Sequence, residues 1–282
     1  MIEVEDLQFT YAGSERPTLA GLTFSVGDGE VLGLLGPSGA GKSTTQKILT
    51  GLLRGFSGRA AVRGIDMTRW RREDNRLLGV GFELPNLYSK LTALENLSFF
   101  ASLYPPPTAD PLELLQKVDL ADAAHVRVAR FSKGMKMRLN FCRALINHPR
   151  ILFLDEPTGG MDPARARLVT DEVARLRGEG KSVFLTTHDM ALAARTCDRV
   201  AFLVDGRIKR IDTPEALMRE NSKRRVEASY REAGRVVSET FDLDGLGSND
   251  RFLQLLRSER IEAIHTLEAT LEDVFVRVSR SR

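Results

Sequence analysis

Cysteine is scarce in the 282 residues: only Cys142 and Cys197 occur. Two thiols, so few and so far apart, do not suggest a disulfide scaffold and suit a reducing cytoplasm. Long apolar runs are missing as well. None approaches the roughly 20 residues needed to cross a bilayer, so the chain is not expected to span one. Its opening, Met1-Ile2-Glu3-Val4-Glu5-Asp6, is acidic and lacks the basic start and apolar stretch of a secretory signal. Nor is there an excess of one charge. Lys and Arg number 41 against 38 Asp and Glu, for a net +3, and residues 219–282 carry 12 of each sign. Without a basic tail or patch, the electrostatic footprint of a nucleic-acid binder is missing. No internal repeat or low-complexity tract is present. The 42% hydrophobic and 28% charged composition is that of an ordinary globular protein, which excludes collagen-like and disordered chains. The length suits one large domain, or a large one with a small companion.

What is present is punctuation by glycine. Val31-Leu32-Gly33-Leu34-Leu35 is a short apolar run that feeds a glycine-rich loop at once, and Lys42–Thr50 reads as a helix closed by Gly51. Ile151-Leu152-Phe153-Leu154 and Val183-Phe184-Leu185-Thr186 are two further candidates for buried strands. Val200–Val204 and Arg207–Ile211 flank Asp205-Gly206, a strong signal for a two-residue hairpin. Between the first two buried strands the sequence turns helical. Thr92-x-x-Glu95 is a capping box ahead of Phe99, Phe100 and Leu103, Pro105-Pro106-Pro107 ends that helix, and further helices are expected over Pro111–Val118 and Lys133–Asn147. Alternating strands and helices argue for an α/β core, here over residues 1–218, with a helical subdomain inserted at about 84–147. After Met218 the basic segment Lys223-Arg224-Arg225 leads into other material. Val226–Tyr230 and Arg235–Phe241 can pair around Ala233-Gly234. A helix near Phe252–Arg257, a strand near Ile261–His265 and an amphipathic helix capped by Thr270-x-x-Asp273 follow. Residues 219–282 therefore read as a small α+β accessory domain.

The chemistry is concentrated in the first part. Gly36-Pro37-Ser38-Gly39-Ala40-Gly41-Lys42-Ser43-Thr44 is a complete GxxxxGK-Ser/Thr phosphate loop lying between an apolar strand and a helix. Glycines let backbone N–H groups wrap the phosphates, and the helix aims its positive end at them. Lys42 reaches the β- and γ-phosphates and Ser43 offers an oxygen to Mg²⁺. The apolar strand at 151–154 ends in Asp155 and Glu156, placed respectively to hold Mg²⁺ and to activate a water. The strand at 183–186 ends at Thr187-His188-Asp189. Ligands of open α/β sheets sit at the carboxyl ends of strands, so His188 falls beside a γ-phosphate and Asp189 can cap the next helix.

With Phe131-Ser132-Lys133-Gly134-Met135 placed just ahead of the second buried strand, the ordered set resembles the nucleotide-binding subunit of an ABC transporter over residues 1–218. The resemblance implies a P-loop NTPase core with an antiparallel β subdomain as well as the helical insertion, and ATP and Mg²⁺ as its ligands. It implies that Ser132 and Gly134 contact the γ-phosphate of ATP held by a second copy. It places Tyr11 where an aromatic stacks on adenine and Asp162, in Gly160-Met161-Asp162-Pro163, on the loop that crosses the dimer interface. Asp162-Pro163 is also a favourable N-cap and N1 pair. Two departures stand out. Lys133 and Met135 replace a glycine and a glutamine of the usual signature, and Glu83, in Gly81-Phe82-Glu83-Leu84-Pro85, stands where the family has a glutamine that touches Mg²⁺ and the attacking water. Ser-Lys-Gly-Met signatures, and tails like Thr270-Leu271-Glu272-Asp273-Val274-Phe275, resemble subunits paired with separate drug, sodium or polysaccharide export permeases.

The reading that follows is a cytoplasmic ATPase, peripheral on the membrane through a permease, that closes as a dimer on two ATP molecules and powers export. The surface from Glu83 to Leu103 is expected to receive the permease's cytoplasmic helix. An importer subunit, a non-transport ABC ATPase acting on ribosomes or DNA, and a small-molecule P-loop kinase stand as alternatives. The second would bring a tandem cassette, long coiled-coil arms or a basic extension. The third would lack the Ser132–Gly134 segment.

Overall fold

The computed structural model describes every residue except 223, 224, 233, 259, 281 and 282. Lys223 and Arg224 of the expected basic segment, and Ala233 of the expected turn, thus lie outside the described residues. Two compact units emerge, Met1–Thr213 and Pro214–Arg282. The first runs β1 (Ile2–Phe9), β2 (Leu19–Val26), β3 (Val31–Leu35), α1 (Lys42–Leu49), β4 (Ser57–Val62), β5 (Ile65–Asp66) and β6 (Leu78–Gly81). It continues through α2 (Ala93–Ala101), α3 (Pro111–Lys117), α4 (Lys133–Leu145), β7 (Ile151–Asp155), α5 (Pro163–Gly178), β8 (Ser182–Thr187), α6 (Met190–Thr196), β9 (Arg199–Val204) and β10 (Arg207–Asp212).

The apolar runs at 31–35, 151–155 and 182–187 are buried at every position, as strands sandwiched on both faces must be. They lie side by side in a sheet of order β10-β9-β3-β8-β7-β6, parallel except for the antiparallel edge strand β10. The hairpin joining β9 to β10 turns on Asp205 and Gly206, both left-handed (φ 48° and 70°), the conformation of a type I′ turn. A second, antiparallel sheet of order β2-β1-β4-β5 stacks on the first. Leu32, Leu34, Phe153 and Phe184 meet Val4, Leu22 and Phe24 in one core, with Phe24 and Phe184 rings stacked at 5.7 Å. Strands β1 and β2 of this second sheet largely alternate buried and more exposed residues, a weaker signal than a continuous apolar run.

Helices α2, α3 and α4 pack together beside β6. Their starts are set locally. Thr92 and Glu95 exchange side-chain and backbone bonds at 3.2 and 2.8 Å, Asp110 caps α3, and Ser132 Oγ accepts from Met135 N at 3.2 Å to start α4. Caps of this kind contribute about 1 kcal/mol each. Cys142 and Cys197 are both free and buried; burial pushes the Cys142 thiol strongly up and the Cys197 thiol up to about 12, so neither is a nucleophile at neutral pH.

The second unit comprises α7 (Pro214–Asn221), β11 (Arg225–Glu232), β12 (Arg235–Asp242), α8 (Asp250–Arg257), β13 (Ile261–Thr266) and α9 (Leu271–Arg280). Its antiparallel sheet, ordered β12-β11-β13, packs Val226, Ala228, Tyr230 and Phe241 against Phe252 and Leu255 of α8. The division expected after Met218 falls inside α7. That helix buries Leu217, packs against α9 and is tied to it by Arg277 Nη1 donating to Asn221 Oδ1 at 3.1 Å. Its contacts therefore carry it into the second unit, and the separation lies at Thr213.

Candidate nucleotide site

The glycine-rich loop, Asp155, Glu156 and His188 come together at the carboxyl ends of β3, β7 and β8. β3 runs directly into the loop Gly36–Gly41, and α1 starts at Lys42 with the free N–H groups that every helix N-terminus presents. Gly41 has φ 113°, and a Cβ there would sit 2.6 Å from Leu19 Cδ2, so the loop closes on the helix only with glycine. Lys42 Nζ donates to the carbonyls of Gly36 (2.6 Å) and Pro37 (3.0 Å). Burial lowers the pKa of Lys42, while the carboxylates of Glu156, Asp155 and Glu83 act in the opposite sense.

Asp155, 8% exposed, closes β7. Its Oδ1 accepts from Thr186 Oγ1 at 2.5 Å and its Oδ2 from Ser43 Oγ at 3.3 Å. Burial raises its pKa above the usual carboxylate range; Glu83 and Glu156 push the same way, against the hydrogen bonds from Thr186 and Ser43. Glu156 follows in a left-handed conformation, φ 48°, that turns the chain out of the strand. Its Oε2 accepts from Thr187 Oγ1 and its Oε1 from His188 N, both at 2.9 Å, and His188 Nδ1 lies 2.6 Å from Oε1. Asp189 caps α6 through Leu192 N at 2.8 Å. Hard oxygen donors surround the Ser43–Asp155 pair, and the excess negative charge there suits a small divalent cation. Among the described residues no three His, Cys, Asp or Glu side chains converge on one point. A Mg²⁺ ion at Ser43 and Asp155 would therefore complete its shell with phosphate oxygens and water, as that ion prefers.

A cavity of about 420 Å³ collects these groups: Ser38, Gly39, Gly41, Lys42, Ser43 and Thr44 of the loop border it together with Tyr11, Glu83, Asp155, Glu156 and His188. Gly36, Pro37 and Ala40 make up the rest of the loop, where Ala40 N donates to Pro37 O at 3.2 Å. Tyr11 stays exposed, with its ring edge-on to Phe9 and its hydroxyl 3.2 Å from Thr44 Oγ1. Glu83, exposed just beyond β6, faces this cavity.

Ser132, Gly134 and Asp162 do not join this group. They border a second cavity, of about 250 Å³, with Arg138 and Arg165. There a Cβ on Gly134 would lie 3.1 Å from Gly160 O, and the Lys133 stem packs over Gly160, a contact that a glycine at 133 could not make. Asp162 caps α5 by accepting from Arg165 N at 3.1 Å, with Pro163 in the first turn. Sequence reasoning passed over Thr18, which borders the first cavity, and the hydroxyls of Thr186 and Thr187, which bind the two carboxylates. For the threonines a signal existed, since they are polar residues ending an otherwise apolar strand; Thr18 carried none. A third cavity, about 630 Å³, opens beside α2 among Phe82, Tyr88, Phe100, Leu103, Tyr104 and Arg143, with the Arg143 guanidinium 5.1 Å from the Phe100 ring. Of the apolar side chains between Glu83 and Leu103, Leu84, Tyr88, Phe99 and Leu103 are exposed rather than core.

A parallel sheet with a phosphate loop after a central strand, paired carboxylates after the next-but-one and a Ser-Lys-Gly-Met segment opening a separate helix is the architecture of an ATP-binding cassette. Comparison with known proteins gives the same result. The ABC transporter family matches residues 19–159, and the fluoroquinolone efflux ABC transporter C-terminal domain matches residues 224–268. The chain is 52% identical over 280 residues to a fluoroquinolones export ATP-binding protein of Mycobacterium tuberculosis (strain CDC 1551 / Oshkosh), covering 99% of this chain and 93% of that one. It is 35% identical over 275 residues to a daunorubicin resistance ATP-binding protein of Streptomyces coeruleorubidus, covering 94% and 85%. Among solved structures, a dimeric ATP-binding cassette in a post-hydrolysis state bound to ADP and Pi superposes with a TM-score of 0.70 at 27% identity, over 76% of this chain and 98% of that one. The chain belongs to the ABC transporter family, as an ATP-binding subunit of the export type. Among the described residues no helix is long and apolar enough to cross a membrane.

Proposed function

We propose that two copies of this chain close on two ATP molecules and hydrolyse them to drive export of a fluoroquinolone-like drug through a separate membrane permease, on whose cytoplasmic face the chain resides. The observation that carries the reading is the division of the site. Lys42, Asp155, Glu156 and His188 border one cavity, whereas Ser132, Gly134 and Asp162 border another. A nucleotide touched by both sets needs two chains. In this reading the loop N–H groups and Lys42 bind the β- and γ-phosphates, and Tyr11 stacks on the adenine. Ser43 and Asp155, with Glu83 beside them, hold Mg²⁺, which offsets phosphate charge. Glu156 takes the proton of the attacking water, while His188 is placed at the γ-phosphate. Ser132 and Gly134 present a hydroxyl and helix N–H groups to the partner copy's γ-phosphate. The exposed aromatic surface beside α2 is the seat of the permease helix, with Arg143 at its floor. The drug cargo rests on the likeness to the mycobacterial export protein.

Mixing variants tests the composite site. Lys42→Ala and Ser132→Arg chains, each inactive alone, are expected to regain partial ATPase activity together, because the heterodimer rebuilds one intact site. No recovery in a mixture shown to dimerise counts against the division. For the cargo, cells expressing the chain with its permease should accumulate less fluoroquinolone than cells carrying the Glu156→Gln chain. Equal accumulation removes the assignment.

A further inference from the structure

Helix α1 turns a polar side chain into the core. Gln46 is 3% exposed; its Oε1 lies 3.3 Å from Thr186 Oγ1, and its Nε2 is buried without a hydrogen-bond partner. Thr186 is wholly buried at the end of β8, with Oγ1 2.5 Å from Asp155 Oδ1 and 3.4 Å from Leu154 O. A threonine hydroxyl has one proton. At 2.5 Å it must point at the carboxylate. Gln46 Oε1 and Thr186 Oγ1 would then face each other as two acceptors. Half a turn of the amide exchanges its oxygen and nitrogen at no cost in shape. It directs an N–H to Thr186 Oγ1 and removes the buried orphan donor, leaving only a carbonyl oxygen short of a partner, the less costly deficit.

We propose that Gln46 is a positioning residue for Asp155: its amide donates to Thr186 Oγ1, Thr186 donates to Asp155 Oδ1, and the carboxylate is held with Oδ2 toward Ser43. Each donor in such a chain polarises the next, so the amide strengthens the threonine's grip on the carboxylate. With its oxygen toward Thr186, the amide would instead compete for the single proton. The inference rests on the reading of Asp155 as a Mg²⁺ ligand. Outer hydrogen bonds that orient a metal ligand are worth about tenfold or more in metal affinity.

The test uses the full chain and a fluorescent ATP analogue, titrated with Mg²⁺ and, separately, in EDTA. Gln46→Leu and Gln46→Met remove the donor at similar volume. Each is expected to raise the Mg²⁺ concentration for half-maximal nucleotide binding about two- to fourfold, because Gln46 reaches Asp155 only through Thr186, with affinity in EDTA unchanged. The melting temperature should not fall, since an unsatisfied buried polar group is lost. Thr186→Val should shift the Mg²⁺ dependence at least as far, and the double variant Gln46→Leu/Thr186→Val no further than Thr186→Val, because both act through one hydroxyl. Unchanged Mg²⁺ dependence in both Gln46 variants overturns the proposal, as do shifts that add in the double variant. A lower melting temperature with equal loss of affinity in EDTA marks Gln46 as structural only and also overturns it. Asp155→Asn separates the two claims. If it shifts the Mg²⁺ dependence while the Gln46 variants do not, Gln46 alone is refuted; if it shifts nothing, the metal-ligand reading of Asp155 fails with it.

Discussion

Replacing Glu156 by glutamine isolates the proton-accepting role from the geometry that holds it. In the wild-type chain Oε1 accepts from His188 N and Oε2 from Thr187 Oγ1, both at 2.9 Å. A glutamine can satisfy both. Its oxygen must stay toward His188 N–H, because an NH₂ there would face another donor. Its nitrogen then meets Thr187 Oγ1, and a hydroxyl oxygen can accept as well as donate. Thr187 Oγ1 also receives Asp189 N at 3.0 Å and has a lone pair to spare. The side chain should therefore keep its place, and what is removed is one negative charge and the ability to take a proton. A positioned general base contributes about 10²–10⁴-fold, or about 3–5 kcal/mol of barrier. Single-turnover phosphate release from Glu156→Gln should slow by that range, with ATP affinity by equilibrium titration changed by no more than about twofold, since no phosphate contact is lost. Sedimentation with ATP and Mg²⁺ should then show a trapped dimer. Hydrolysis within about threefold of wild type would refute the assignment of the base, because no loss that small fits a group that accepts the proton. A variant that remains monomeric with ATP bound would refute the two-chain site.

Lys42→Ala should weaken ATP binding severalfold or more in a fluorescence titration, since it deletes the cation that the Gly36 and Pro37 carbonyls hold at the loop; unchanged affinity would remove the loop assignment. Glu83→Gln should raise the Mg²⁺ requirement of ATPase activity without altering ATP affinity in EDTA, and coincident Mg²⁺ curves would place Glu83 outside the metal's reach. Truncation after Thr213, where the first unit ends, should leave ATP binding intact, whereas a cut after Met218 leaves a stranded piece of α7; lost binding in a folded truncation would give the second unit a part in the site. Gly79→Ala should destabilise by about 1–3 kcal/mol in a denaturant melt, because its Cβ would lie 2.0 Å from Ala144 O of α4; an unchanged midpoint would mean that α4 can move off β6.

Much of the site was legible because its chemistry is local. The phosphate-loop pattern is one contiguous stretch, so its glycines, Lys42 and Ser43 can be read without knowledge of the fold. Asp155 and Glu156 were placed as carboxylates ending an apolar strand downstream of that loop, and His188 by the rule that ligands sit at the strand ends of an open α/β sheet. Caps were equally readable, since Thr92, Asp162 and Asp189 bind backbone within three residues of themselves. The antiparallel sheet was harder to see. Its strands are buried on one face only, and β1 pairs with β4 across more than fifty residues, so no local pattern fixes the partnership.

The sequence by itself therefore determined the elements that carry chemistry, because propensity, capping and the phosphate loop act over a few bonds. Tertiary structure decided which of them meet. It joined Glu83 to Asp155 in one cavity and put Ser132 and Asp162 in another. It also assigned α7 to the second unit through Leu217 and the bond to Arg277, and set Gln46 against Thr186 across 140 residues of chain. These are long-range contacts selected by the packing of whole layers, and the cost of closing such loops grows too slowly with length for separation along the chain to reveal them.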